Sequence, residues 1–179
     1  MPVKIRRARV EDGTAIIEMT NALNRYEGKP PTPLTENGLA RHVFGRRRIL
    51  SCILAELDGA LVGYAAFQPS FDMETGSSGL YMSDLFVREE ARRRGVGRAL
   101  MQWLAREALR RGGAWLGWGV MKSNAEAQAF YRAVGGGPVE VEIYSVACDR
   151  VLGRSKARSI NSGAPPPPGR RAAARRAKA

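Results

Sequence analysis

The sequence predicts one α/β (α+β) domain, residues 1–152, followed by a basic appendage, residues 153–179. Short β-compatible apolar runs alternate with stretches of helical apolar spacing from Val3 to Ala147. The length of 179 residues, 44% of them hydrophobic, suits a single domain with a sizeable core. From Gly153 onward there are eight basic residues, no acidic one, the run Pro165 to Pro168, and Ile160 as the only large apolar side chain. Such a segment cannot offset its ordering entropy by burial, so it is expected to be disordered.

The elements follow in order. Val3 to Arg9 reads as a strand. Asp12 offers an N-cap for a helix with Ile16, Met19, Ala22 and Leu23 on one face, ending near Tyr26, Glu27 and Gly28. The run Lys29-Pro30-Pro31-Thr32-Pro33 cannot continue that helix, and Thr35 can cap a second short one through Phe44. Ser51 to Leu57 and Leu61 to Gln68 read as an antiparallel pair joined at Asp58-Gly59, residues that tolerate the positive φ of a tight turn. Leu80 to Val87 is the next strand, and Val96, Leu100, Trp103, Leu104 and Ala108 mark a helix that ends before Gly112. Trp115 to Val120 reads as a strand. Ser123 and Glu126 have capping-box spacing for a helix to about Val134, and Val139 to Ala147 is expected as the last strand.

The formal charge is +12, but residues 1–152 carry only +4 of it, so most of the excess lies in the tail. A flexible basic arm can make weak non-specific contacts with nucleic acid through counterion release, yet it lacks the interleaved aromatics or groove-reading helix that sequence readout needs. The plainer reading is a solvated extension. Cys52 and Cys148 are far apart with no CxxC, and His42 is the single histidine, so neither a disulfide framework nor a metal site is suggested. The longest apolar stretch, Ile49 to Ala55, falls well short of the roughly 20 residues of a membrane helix, and no apolar h-region follows the N-terminal charges. These features predict a cytoplasmic protein without a membrane partner.

The richest segment for chemistry is Val87-Arg88-Glu89-Glu90-Ala91-Arg92-Arg93-Arg94-Gly95-Val96-Gly97-Arg98: a strand end, a basic glycine-bearing loop and a helix start. Unpaired N–H groups and the positive dipole end of a helix suit a pyrophosphate, and flanking arginines add charge-assisted contacts. By itself the pattern also describes an ordinary basic helix start. The dinucleotide fingerprint fails at Leu100, and no Gly-Lys-Ser/Thr follows.

Arg92-Arg93-Arg94-Gly95-Val96-Gly97 matches the acetyl-CoA loop pattern Q/R-x-x-G-x-G/A, and Asn124-Ala125-Glu126-Ala127-Gln128-Ala129-Phe130-Tyr131-Arg132-Ala133-Val134-Gly135 looks like the N-x-x-A-x-x-F-Y-x-x-x-G segment. On these two motifs the chain resembles the GCN5-related N-acetyltransferase (GNAT) superfamily. Arg25-Tyr26-Glu27 and Leu80 to Val87 are similar to the diamine (spermidine/spermine) and thialysine acetyltransferase group. The resemblance covers roughly residues 3 to 150. It implies a mixed central sheet of six to seven strands flanked by about four helices, and acetyl-CoA as co-substrate without a metal. Relatives of this group are frequently homodimers.

The resemblance also implies roles. Backbone groups of Leu85, Phe86 and Val87 hold the pantetheine arm, with Asn124 and Ala127 beside it. The loop Arg92, Arg93, Arg94, Gly95, Val96, Gly97 and Arg98 holds the pyrophosphate. Tyr131 protonates the departing sulfur, while Tyr26, Glu27 and Asp84 receive the amine. Polyamine-acetylating relatives carry Glu-Asp where this chain has Ser83-Asp84, and a serine cannot hold an ammonium electrostatically. Deprotonation then falls to Asp84, Glu27 and ordered water, or the amine arrives neutral. Each residue also has a plainer reading: Tyr131 as core packing, Asp84 as a strand-end carboxylate, Tyr26 and Glu27 as a helix terminus. The expected activity is acetyl transfer to a primary amine of a polyamine-like or amino-acid-like molecule. The alternatives are a protein lysine or N-terminal acetyltransferase, and a non-catalytic acetyl-CoA-binding module with a nucleic-acid-binding tail.

Overall fold

The computed structural model describes residues 2–153; the tail expectation, from residue 154 on, lies outside the described residues. The chain divides into two units, one ending at Glu140 and one beginning at Val141. In the first, a five-stranded sheet runs in the order β1 (Lys4–Arg7), β2 (Ser51–Leu57), β3 (Ala60–Asp72), β4 (Ser77–Val87), β5 (Trp115–Trp118). The first three pairings are antiparallel and β4–β5 is parallel, so the sheet is mixed. Four α-helices accompany it, α1 (Gly13–Tyr26), α2 (Glu36–Leu39), α3 (Val96–Arg110) and α4 (Ala125–Ala133), and a π-helical turn over Ala40–Phe44 continues α2.

Alternation along the strands sends side chains to two cores, one on each face of the sheet. On one face Ile53, Phe67, Leu80 and Met82 pack against Val96, Leu100 and Leu104 of α3. On the other, Leu54, Tyr64 and Phe86 pack against Ile16 and Met19 of α1 and Leu39 of α2. Each large side chain buried in this way contributes about 1.5–3 kcal/mol.

One irregularity in β4 determines where the site forms. Ala66 of β3 lies opposite Asp84 but Phe67 lies opposite Met82, so Ser83 is the extra residue of a β-bulge. Before the bulge the even positions Leu80 and Met82 face the α3 core; after it the odd positions Leu85 and Val87 do, and Phe86 faces the α1 core. The bulge therefore turns Asp84 toward the α1 side. The β4–β5 ladder stops at Met82–Trp118, leaving one backbone edge of β4 from Ser83 to Val87 without a strand partner among the described residues.

The local signals read in the sequence hold in part. Asp58 and Gly59 have positive φ at the hairpin, and Thr35 accepts the Gly38 N–H at 3.1 Å. Asp12 sits at the N-cap of α1, but its carboxylate is taken by a bidentate pair with Arg6 at 2.7 and 2.8 Å. Asn124, and not Ser123, caps α4 by accepting the Ala127 N–H at 3.0 Å. The strand expected over residues 139–147 does not form, so the sheet has five strands where six or seven were expected. Its alternating residues Val139, Val141 and Ile143 are exposed, as is Val146. A period-2 apolar pattern becomes a strand only where a neighbour supplies ladder hydrogen bonds. The second unit has one described element, a single helical turn, α5 (Cys148–Val151).

Candidate active site

The loop from Val87 to α3 is built around two left-handed residues, Arg93 (φ 61°) and Gly95 (φ 82°). Glycine at residue 95 carries no Cβ penalty there, which leaves the chain free to turn sharply into the helix. Beyond the turn Arg92 N–H→Glu89 O, the first backbone donor bound again is Ala99, to Gly95 O. The N–H groups of residues 93–98 donate to no described residue. Successive free N–H groups at the start of a fifteen-residue helix are an arrangement whose geometry and dipole suit an anion.

The guanidinium groups around this loop are mostly committed to the protein. Arg94 pairs with Asp58 at 2.9 Å, Arg98 donates to Ala133 O at 3.0 Å, and Arg92 lies 3.7 Å from Glu126 and 4.8 Å from the Tyr26 ring centroid. Arg93 alone is exposed with no described partner. Arg93 and Arg98 keep their full charge, since a carbonyl does not neutralise a guanidinium, and together with the backbone N–H groups they present the positive surface. Val96 contributes only its N–H, because its side chain is 1% exposed in the α3 core. Gly97 has a packing reason as well: a Cβ there would come within 3.1 Å of the Phe130 ring.

At the other end of the unpartnered β4 edge stand Ser83 and Asp84. The Ser83 hydroxyl donates to Asp84 Oδ2 at 3.0 Å. Burial lifts the Asp84 carboxyl above the usual carboxylate range; the Ser83 hydrogen bond opposes this, Glu27 adds to it and Lys29 opposes it. Glu27 follows the last residue of α1, and Lys29 Nζ reaches its Oε2 at 2.5 Å. Tyr26 turns elsewhere, donating its hydroxyl to Glu126 Oε2 at 2.9 Å and lying against Arg92.

Tyr131 projects from α4 with its ring 4.9 Å from that of Trp118 and 5.3 Å from that of Phe130. Its hydroxyl has no described hydrogen-bond partner and is not sealed off. Burial, with the charges of Glu27 and Asp84, pushes its pKa up to about 12, so it holds its proton at neutral pH. Asn124 spends its carbonyl oxygen on the cap, and its amide NH₂ remains without a described partner. The fold thus brings Glu27, Asp84, Ser83 and Tyr131 within electrostatic reach of one another, and sets Tyr26 with the loop arginine Arg92. Two further members are Lys29 and Glu126. Gly28-Lys29 directly after a helix was a legible signal for the first; for the second, only its place in the first turn of α4.

The model of the acetyltransferase (GNAT) family matches residues 16–135, and the chain belongs to that family. It is 28% identical over 142 residues to the thialysine N-epsilon-acetyltransferase of Bos taurus, covering 74% of this chain and 83% of that protein. Over 78 residues it is 32% identical to an L-ornithine N5-acetyltransferase of Arabidopsis thaliana, which spans 44% of this chain and 34% of that protein. Among solved structures, an integron cassette protein from the mobile metagenome of V. cholerae superposes with a TM-score of 0.71 and 26% identity, covering 88% of this chain and 99% of the other. The protein is an N-acetyltransferase, similar to the thialysine acetyltransferase group.

Proposed function

We propose that this protein transfers the acetyl group of acetyl-CoA to a primary amine of a small molecule, by direct attack in a ternary complex. The observation that carries the reading is the unpartnered β4 edge, with Asp84 where the ladder stops and the free N–H groups of residues 93–98 just past its end. Those N–H groups fit a pyrophosphate, and the backbone of Leu85 to Val87 and the Asn124 amide fit an amide-bearing pantetheine arm. Acetyl-CoA supplies the thioester, whose C–S bond breaks as the new C–N bond forms.

The chain's residues would do the rest. Asp84 takes the proton that the attacking nitrogen must lose, directly or through water, and its raised pKa brings it nearer to neutral working pH than an ordinary carboxylate. A backbone N–H of the β4 edge polarises the carbonyl oxygen. Tyr131 donates its proton to the departing sulfur; a phenol near 12 does this only in concert with the C–S cleavage. Glu27 holds a positive charge on the acceptor. The two similar enzymes are named for acetylating side-chain amines of thialysine and ornithine, which supports an amine acceptor here. Purified protein with acetyl-CoA and a panel of primary amines should release free thiol in step with formation of the acetyl amide. Thiol release that no amine stimulates would overturn the proposal.

A further inference from the structure

Lys29 is placed by backbone geometry. At the end of α1 the Lys29 N–H bonds to Asn24 O at 2.7 Å and the Gly28 N–H to Arg25 O at 3.1 Å, with Gly28 left-handed at φ 69°. This is the paired 6→1 and 5→2 pattern of a Schellman motif, which only a residue free of Cβ strain completes cheaply. The following loop is pinned by Asn24 Nδ2→Pro30 O at 2.9 Å and Thr32 N–H→Asn21 Oδ1 at 2.8 Å. The Lys29 backbone is therefore fixed while its four-carbon stem remains adjustable. Its ammonium sits on Glu27, both partners being mostly sheltered, with side chains 33% and 19% exposed.

We propose that Lys29 is a specificity residue that exchanges Glu27 for a carboxylate of the acceptor, so that the enzyme selects amines that carry an anionic group and rejects polycations. The inference rests on the amine-acetylating reading above. Its reason is a count of charge pairs. Before the acceptor enters, one pair exists, Glu27 with Lys29. An amino acid brings an α-ammonium and an α-carboxylate: the ammonium replaces Lys29 on Glu27, Lys29 takes the carboxylate, and one pair becomes two. A diamine brings only cations. Its second ammonium on Glu27 leaves Lys29 unpaired in a sheltered place, so one pair is exchanged for one and a like charge is added. The negative end of the α1 dipole favours a cation beside Glu27 in either state, which keeps Glu27 occupied throughout. Ser83 fits the same balance, because it supplies no second carboxylate for a dication.

The test compares kcat/KM for L-ornithine with that for 1,4-diaminobutane, the same skeleton without its carboxylate, and likewise L-lysine with 1,5-diaminopentane. Wild-type protein should prefer each amino acid by about tenfold or more, the worth of one charge-assisted contact. Lys29→Gln should abolish the preference and Lys29→Arg should keep it. L-Ornithine methyl ester on wild-type protein should lose the same factor, a readout that needs no variant to fold. A preference unchanged in Lys29→Gln, or an ester used as well as the free acid, overturns the role of Lys29 while acetyl transfer to amines stands. No transfer to any of these amines, or to any other, overturns both.

Discussion

The ring of Tyr131 lies 4.9 Å from the ring of Trp118, and the Tyr131 hydroxyl extends past that contact without a described partner. The aromatic body and the polar tip are therefore separable by mutation. Tyr131→Phe keeps the packing against Trp118 and Phe130 and removes one oxygen. Loss of a general acid lowers turnover about 10²–10⁴-fold, whereas loss of one ordinary hydrogen bond gives less than tenfold. With acetyl-CoA saturating, kcat should fall by the larger factor while the melting temperature and acetyl-CoA affinity stay near wild type. A kcat within threefold of wild type would remove Tyr131 from the mechanism.

Gly95→Asp tests the anion-binding loop. It puts a side chain at φ 82°, where the left-handed conformation costs a non-glycine residue about 1–2 kcal/mol, and adds a negative charge beside the free N–H groups. Gly95→Ala carries the strain without the charge. Calorimetry should show acetyl-CoA binding weakened at least tenfold more by Asp than by Ala. Arg94→Ala should have a smaller effect than Gly95→Asp, because the Arg94 guanidinium is already held by Asp58. Equal affinities in the Asp and Ala variants would move the pyrophosphate elsewhere.

Much of this arrangement was legible in the chain. The Arg-Gly loop, the Asn124-to-Tyr131 segment and the Asp58-Gly59 turn are local signals, each encoded within a dozen residues, and each forms where the pattern put it. What escaped depends on partners distant in sequence. The bulge at Ser83 is set by register against Ala66 and Phe67, and it decides which face Asp84 occupies. The commitment of Arg94 to Asp58 and of Arg98 to Ala133 follows from tertiary placement that no spacing reports. The missing strand over residues 139–147 fails for the same reason, since alternation describes a strand's faces and not its neighbour.

Glu107 supplies a pH-dependent part of the stability away from the site. Its side chain is 6% exposed on α3 and pairs with Arg7 at 2.6 Å, Arg110 at 2.8 Å and Arg111 at 2.7 Å. Hydrogen bonds from Arg110 and Arg111, against the cost of burial, lower its pKa from 4.5 to about 2. A carboxylate with a depressed folded-state pKa stabilises above its unfolded value, and that contribution disappears as pH falls through the folded value. The melting temperature should therefore decline between about pH 4.5 and pH 2. Glu107→Gln should lower it by several degrees at pH 7, since losing a charged hydrogen-bonded group costs about 1.5–3 kcal/mol. The gap between variant and wild type should narrow towards pH 2 and close below it. A gap that persists there would mean that packing, and not the carboxylate charge, is what the substitution removes.

Ser83 offers the sharpest test of how the acceptor end works, because it is exposed at the bulge and hydrogen-bonded to Asp84 at 3.0 Å. The Ser83 hydroxyl lowers the Asp84 pKa against the upward push of burial. Removing it with Ser83→Ala should move the acidic limb of the kcat/KM profile to higher pH, since the base form of Asp84 then appears later in the titration. Ser83→Glu goes further. It places a second carboxylate beside Asp84, moves the same limb higher still by like-charge repulsion, and provides the partner that a dicationic acceptor lacks. Activity toward 1,4-diaminobutane relative to L-ornithine should rise about tenfold, the value of one added charge-assisted contact. Should the Ser83→Ala limb stay where the wild-type limb lies, Asp84 is not the base, and the proton leaves the amine by another route.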